Sequence, residues 1–145
     1  MPLSATLTGH GGRQRPKPIT VFFDRSLGRS LPRAVALLPF VRVVPMHEVY
    51  PQDGQRIKDT DWLARAGAEG WAVFTQDARI WQNLAERAAV QDHGVRVFCL
   101  GMQQATSVQK GVCYGRHILR IARRARRPGP CFWRIYPERV DKLAP

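Results

Sequence analysis

The sequence lacks the apolar segments that a membrane protein or an exported protein would need. Its longest uninterrupted apolar run extends only over residues 34–41, far short of the roughly 20 residues of a membrane span. Residues 1–18, MPLSATLTGHGGRQRPKP, contain no apolar core of the signal-peptide kind. We therefore expect a cytoplasmic protein without a membrane partner.

Cysteine and acidic residues are also scarce. The three cysteines are odd in number and form no CxxC pair, which argues against a disulfide framework or a zinc knuckle and favours buried, reduced thiols. Only 11 acids face 23 basic residues, giving a formal net charge of +12. Residues 1–18 hold three basic residues and no acid, and residues 103–145 hold ten basic residues against two acids. An excess of this kind favours a polyanion or an acidic protein as partner.

The apolar pattern predicts five strands that alternate with helices. The predicted strands are Ile19–Asp24, Val41–Val44, Trp71–Thr75, Val95–Leu100 and Cys131–Tyr136. Helices are expected over residues 25–38, 59–70, 80–94 and 106–127, with a polar loop over 46–58. This alternation is typical of an α/β fold with a mainly parallel central sheet. We expect residues 1–18 to form a flexible basic arm and residues 19–140 to form one domain.

Several catalytic classes have no support in the sequence. It contains no P-loop, no GxGxxG and no GxSxG nucleophile elbow. The four histidines are scattered, so a two-histidine ribonuclease mechanism stays only an alternative. His47 and Glu48 follow the second strand and could approach a site there, or lie on a surface loop.

Four aspartates are candidates for a shared site. Asp24 and Asp77 end two apolar strands, where the ligands of parallel sheets bind, and Asp59 and Asp61 open a helix. Grouped carboxylates suit Mg²⁺ or Mn²⁺, and such an ion supports phosphodiester hydrolysis. Alternatively Asp24, Asp59 and Asp77 cap helices and Asp61 is solvated. Because Asp59 is already explained as a cap, it is the weakest ligand of the four.

Arginines near these acids and in the last helix are candidates for binding a nucleic acid backbone. Arg25 and Arg79 follow the strand-end aspartates and would contact a scissile phosphate or pair with the local acids. Five of the six arginines in the last helix lie on neighbouring turns with no acid nearby, which favours phosphate binding or an acidic partner over a merely solvated face. These five are Arg116, Arg120, Arg123, Arg124 and Arg127.

Three segments together resemble the PIN-like domain family, and within it the VapC-type ribonuclease toxins of bacterial toxin–antitoxin pairs. They are VFFDRSLGRSLPRAV, DTDWLARAGAEGWAVFTQDARI and VRVFCLG, and the resemblance covers roughly residues 19–101. It implies a three-layer α/β/α Rossmann-like fold and metal-dependent RNA cleavage. It also implies a small antitoxin protein that holds the enzyme inactive, and often assembly as a dimer.

By this resemblance, Asp24, Asp61 and Asp77 are catalytic and hold Mg²⁺ or Mn²⁺, with Asp59 in support. Members of the family often carry a further acid shortly after the Thr-x-Asp site, where this sequence has Ala78, Arg79 and Ile80. Either Glu86 or Asp92 replaces it, or the site holds one metal. Hydrolysis by water predicts 5′-phosphate and 3′-hydroxyl products. The alternative function is a non-catalytic PIN-like module that binds RNA or protein.

Overall fold

The computed structural model describes residues 17–52 and 56–145. Most of the predicted N-terminal arm therefore lies outside the described residues. The strands are β1 (Ile19–Phe23), β2 (Val41–Pro45), β3 (Ala72–Thr75), β4 (Arg96–Leu100), β5 (Cys131–Ile135) and β6 (Val140–Ala144). The helices are α1 (Ser30–Val35), α2 (Met46–Val49), α3 (Asp59–Glu69), α4 (Arg79–Gln82), α5 (Leu84–Asp92) and α6 (Ser107–Ala125), and a 3-10 turn covers Arg25–Leu27.

The strands form one sheet in the order β2-β1-β3-β4-β5-β6. The first five strands are parallel, and β6 pairs antiparallel with β5. The central strands are continuous apolar runs because both of their faces are covered. The prediction of a three-layer α/β/α fold with a mainly parallel sheet is confirmed.

Helices cover the two faces of the sheet as separate layers. One core joins the sheet to α1 and α6, through side chains such as Leu31 and Ile121. The other joins it to α2, α3, α4 and α5, through side chains such as Trp62 and Ile80. Successive residues of β1 alternate between the two cores, with Phe23 in the first and Phe22 in the second.

Local signals determine most of the helix boundaries. Gly70 ends α3 in the left-handed conformation, with φ of 74°, which glycine adopts without the penalty that a Cβ imposes. Thr106 and Gln109 form a reciprocal capping box at the start of α6. Within residues 17–52 and 56–145, no helix combines the length and the apolar character that crossing a membrane requires.

The structure differs from the predicted elements in four places. The helix predicted over residues 25–38 is a 3-10 turn at Arg25–Leu27 followed by α1 at Ser30–Val35. The helix predicted over 80–94 is broken at Asn83, whose extended backbone and side chain cap α5. The segment predicted as a loop contains the short helix α2. The polar tail adds a sixth strand, whose half-exposed edge position gives it a weak apolar pattern. All three cysteines are free and buried, as predicted.

Candidate active site

Asp24 and Asp77 lie side by side at the carboxyl edge of the sheet, where the parallel strands end. The register places Phe23 beside Phe74, so Asp24 and Thr75 end neighbouring strands. The Thr75 hydroxyl donates to Asp24 Oδ2 at 2.7 Å. The same hydroxyl accepts the backbone N–H of Asp77 at 3.0 Å. One threonine therefore links the carboxylate of Asp24 to the backbone of Asp77, although the two residues are 53 positions apart in the printed sequence.

Tyr114 on α6 supports this threonine from below. Its buried hydroxyl lies 3.1 Å from the carbonyl oxygen of Thr75 and 2.9 Å from that of Phe98. Its ring stacks on Phe74 with centroids 4.4 Å apart. Burial raises the pKa of Tyr114 well above its ordinary value, so the hydroxyl stays a donor. The sequence analysis missed Tyr114, whose only signal is its place on the apolar side of a helix.

Asp24 is almost completely buried, with 6% of its surface exposed. Its Oδ1 accepts the backbone N–H of Ser26 at 3.1 Å and also the Ser26 hydroxyl. Burial raises the pKa of Asp24 to about 6, against the hydrogen bonds from Ser26 and Thr75 that lower it, and the charge of Asp59 raises it further. Asp24 also caps the 3-10 turn. The interpretation of Asp24 as a cap is thus confirmed. Capping alone does not explain why this carboxylate is buried.

Asp77 is held by Arg79. Its Oδ1 accepts the backbone N–H and the Nε of Arg79, both at 3.0 Å, and its Oδ2 accepts Nη2 at 3.1 Å. Partial burial acts to raise the pKa of Asp77, but these hydrogen bonds and the positive charge of Arg79 hold it below its ordinary value. The alternative in which Arg79 pairs with a local acid is therefore what the structure contains.

Asp59, and not Asp61, is the helix acid that faces the other carboxylates. The negative charge of Asp59 raises the pKa of Asp24 and the pKa of Glu86. Its Oδ1 accepts a hydrogen bond from Trp62 Nε1 at 2.8 Å. Asp61 is exposed. Two residues along a helix correspond to a rotation of about 200° around its axis, so the side chains of Asp59 and Asp61 lie on opposite sides of α3. The structure thus reverses the predicted ranking of the two. Asp59 is also the first residue of α3 and not its cap.

Glu86 joins this group from α5. It lines a cavity of about 520 Å³ together with Asp59 and Arg25. The Nη2 atom of Arg25 lies 3.6 Å from Oδ1 of Asp59. The Oε1 atom of Glu86 is buried and has no hydrogen-bond partner. Burial, together with the proximity and charge of Asp59, raises the pKa of Glu86 to about 7. Of the two predicted replacements for the missing acid, Glu86 lies at the site, and Asp92 is exposed at the end of α5.

Among the described residues, no three acid, histidine or cysteine side chains are close enough to hold one ion. Arg79 is bonded to Asp77, and Arg25 lies beside Asp59. The donor set nevertheless suits a hard divalent cation, since it consists of carboxylate oxygens. The raised pKa of Asp24 and the unpartnered Oε1 of Glu86 both indicate negative charge that the protein does not fully compensate.

Arg124 was predicted to bind RNA, but the structure buries it. It is 6% exposed, and its guanidinium donates to backbone carbonyl oxygens, among them Pro145 at 2.6 Å and Pro128 at 3.0 Å. The prediction failed because the helical pattern shows that a residue is charged but not which distant carbonyl groups meet it.

The other predicted arginines of α6 form an exposed stripe, and it leads away from the acids. The stripe consists of Arg116, Arg120, Arg123 and Arg127. Tyr114 marks where α6 passes beneath the site, and Arg123 lies nine residues further, about 14 Å along the axis. Arg116 donates to the carbonyl oxygen of Pro137, and Arg120 lies over the ring of Trp133. Part of the stripe therefore packs against the β5–β6 hairpin.

Comparison with known proteins gives a consistent result. A family model described as a PIN like domain matches residues 19–102. The curated protein "Putative ribonuclease VapC45" of Mycobacterium tuberculosis (strain ATCC 25618 / H37Rv) is 34% identical over 125 residues, which cover 85% of this chain and 90% of that protein. No solved structure matches the chain. The resemblance inferred from the sequence is confirmed: the chain belongs to the PIN-like domain family.

Proposed function

We propose that the protein is a metal-dependent endoribonuclease that hydrolyses RNA phosphodiester bonds. The observation that carries the proposal is that Thr75 bonds both the carboxylate of Asp24 and the backbone N–H of Asp77, which places these two acidic residues together at the carboxyl edge of the sheet. That edge is where ligands of parallel α/β sheets bind. The name of the curated relative, a ribonuclease, supports RNA as the substrate.

In this proposal Asp24, Asp59 and Asp77 provide the carboxylate oxygens for a Mg²⁺ or Mn²⁺ ion, with Glu86 as a further acid. These acids must move closer together than the structure has them when the ion binds. Asp61, predicted as a ligand, has no role. Such an ion, when bound, activates water and stabilises negative charge on a phosphoryl oxygen. Ser26 and Thr75 orient the carboxylate of Asp24.

Arg79 has a proposed role in binding the substrate. Its side chain is 83% exposed while it holds Asp77, so it lies at the mouth of the site. A guanidinium there can bind two oxygens of an RNA phosphate. Arg25, between Asp59 and the neighbouring cavity, is proposed to do the same on the other side.

The biological role we propose is that of a toxin whose partner is an antitoxin protein, which follows from the VapC name of the relative. Expression of the protein without its partner should arrest growth of a bacterial host, and the Asp77→Asn variant should not. Growth arrest that persists in the Asp77→Asn variant would contradict a nuclease toxin.

The deciding experiment incubates the purified protein and a structured RNA pool with Mn²⁺ or Mg²⁺, beside EDTA and the Asp77→Asn variant. The matched control is Asp141→Asn, because Asp141 also accepts an arginine two residues away, at 3.0 Å from Arg139 Nε. Cutting should require the metal and Asp77 but not Asp141, and should leave 5′-phosphate ends. Cleavage that Asp77→Asn leaves unchanged, or 2′,3′-cyclic phosphate products, would overturn the proposal.

The second candidate is a non-catalytic module that binds RNA or protein. It is favoured by the arginines that already neutralise Asp77 and Asp59. This candidate predicts RNA binding that is sensitive to salt, with no cleavage in either metal and no protein partner co-purified.

A further inference from the structure

Two adjoining cavities form a basic groove that starts at Asp24 and runs over the ends of β1 and β2. The first cavity, about 300 Å³, is lined by Asp24, Arg25, Arg29 and His47, among others. The second, of similar volume, shares Arg29 and His47 with the first and adds Arg33. The groove is thus continuous from the buried carboxylate to the outer side of α1.

The charge of this groove is mostly uncompensated. Arg29 and Arg33 are exposed, and within the described part of the chain neither forms an ion pair. Among the described residues that line the second cavity, Glu48 is the one acid. Like charges this close repel each other unless an anion binds between them.

The spacing of the two arginines suits a nucleic acid strand. Arg29 and Arg33 lie one helical turn apart, about 6 Å along the axis, which is comparable to the separation of neighbouring phosphates. The first cavity also has an apolar side, formed by Met46 and Tyr50, where a base or ribose can lie. A groove that combines cations with an apolar wall is typical of sites for single-stranded nucleic acid.

We propose that the basic groove binds the backbone of single-stranded RNA on one side of the bond to be cut, with Arg29 and Arg33 on successive phosphates. This inference rests on the proposed function, because it takes Asp24 as the position of the scissile bond. It moves the principal RNA surface from the stripe of α6 to α1 and the end of β2. RNA suits the groove better than an acidic protein segment, because the apolar side of the first cavity can receive its bases.

The test measures binding of a fluorescent single-stranded RNA by anisotropy in EDTA, over a series of salt concentrations. The groove variant is Arg29→Ala with Arg33→Ala. The control variant, Arg123→Ala with Arg127→Ala, removes the same charge from the far end of α6. The groove variant should bind about tenfold more weakly, with a salt slope lower by roughly 1.4 for two lost contacts to a single strand. The control should keep the slope of the wild type.

A gain of affinity separates this effect from misfolding. Glu48→Gln should tighten RNA binding about twofold, because it removes the one negative charge from the second cavity. Glu69→Gln, at the exposed end of α3, is the matched control and should change nothing. The circular dichroism spectrum of Glu48→Gln should match that of the wild type, so the pair tests the groove even where arginine removal harms the fold.

Failure of this inference and failure of the proposed function have different signatures. If Asp77-dependent cleavage occurs but the groove variant binds RNA like the wild type, the groove proposal is overturned and the nuclease stands. It is also overturned if the two double variants weaken binding equally, or if the groove variant loses only a protein partner. If RNA binding depends on the groove but no metal supports cleavage, the groove proposal stands and the nuclease fails.

Discussion

The protein has two arginine-rich regions, and they use the same residue type differently. On α6, arginines serve the fold: Arg124 is buried among carbonyl oxygens, and Arg116 and Arg120 contact the β5–β6 hairpin. Beside Asp24, Arg29 and Arg33 are exposed and form no ion pair within residues 17–52 and 56–145. The region with more arginines, α6, therefore has fewer of them available to bind a ligand.

The comparison shows why counting charges does not locate a binding surface. A guanidinium has five N–H donors, and carbonyl oxygens satisfy them as well as phosphate oxygens do. What distinguishes the basic groove is that its cations border a buried carboxylate. Each test below alters one region and leaves the other intact.

The largest effect is expected at the acids of the carboxyl edge. Asp59→Asn should lower the rate of RNA cleavage on the order of 10³-fold, because it removes one charged group of the proposed ion site. Asp61→Asn, two residues away and exposed, should stay within about threefold of the wild type. Single-turnover cleavage in Mn²⁺ measures both. The reverse ranking would restore the original prediction and remove Asp59 from the site.

The next effect concerns stability and α6. Arg124→Ala should lower the free energy of unfolding by about 3 kcal/mol, because it removes a buried guanidinium that donates to several backbone carbonyl oxygens. Arg123→Ala, its exposed neighbour, should change stability by less than about 0.5 kcal/mol. Urea denaturation followed by circular dichroism compares the two. Equal and small effects would mean that Arg124 is as free to bind RNA as its neighbours.

The smallest effect is a pH dependence that only the carboxyl edge should show. In the native protein Asp24 has a pKa of about 6, above its ordinary 3.8, so the native state binds the proton more tightly than the unfolded chain. Stability in EDTA should therefore fall as the pH rises from about 4 to 6 because of Asp24, and the raised pKa of Glu86, about 7, should extend a shallower fall to about pH 7.

The contribution of Asp24 to this fall should be on the order of 2 kcal/mol. Asp24→Asn should flatten the profile, whereas Arg123→Ala should leave it unchanged. Unfolding measured at several pH values tests the difference. A variant profile as steep as that of the wild type would mean that Asp24 is not the group that titrates.

Much of this protein could be predicted from the sequence because the relevant signals are local. Continuous apolar runs identified β1, β3, β4 and β5, and a parallel sheet then places Asp24 and Asp77 at one edge. Local patterns were insufficient where the structure of one segment depends on its contact with another segment. The strand β6 carries little apolar signal, and it forms because β5 offers it a pairing edge.

The sequence by itself determined the fold class, the family and the two strand-end aspartates, since these follow from periodicity and from the order of motifs along the chain. Only the tertiary structure turned Asp59 towards Asp24 and left Asp61 exposed, placed Glu86 beside Asp59 and buried Arg124. It also joined Arg29, Arg33 and His47 into one groove. The physical reason is the same in each case: the partners of these side chains come from segments that only folding brings together.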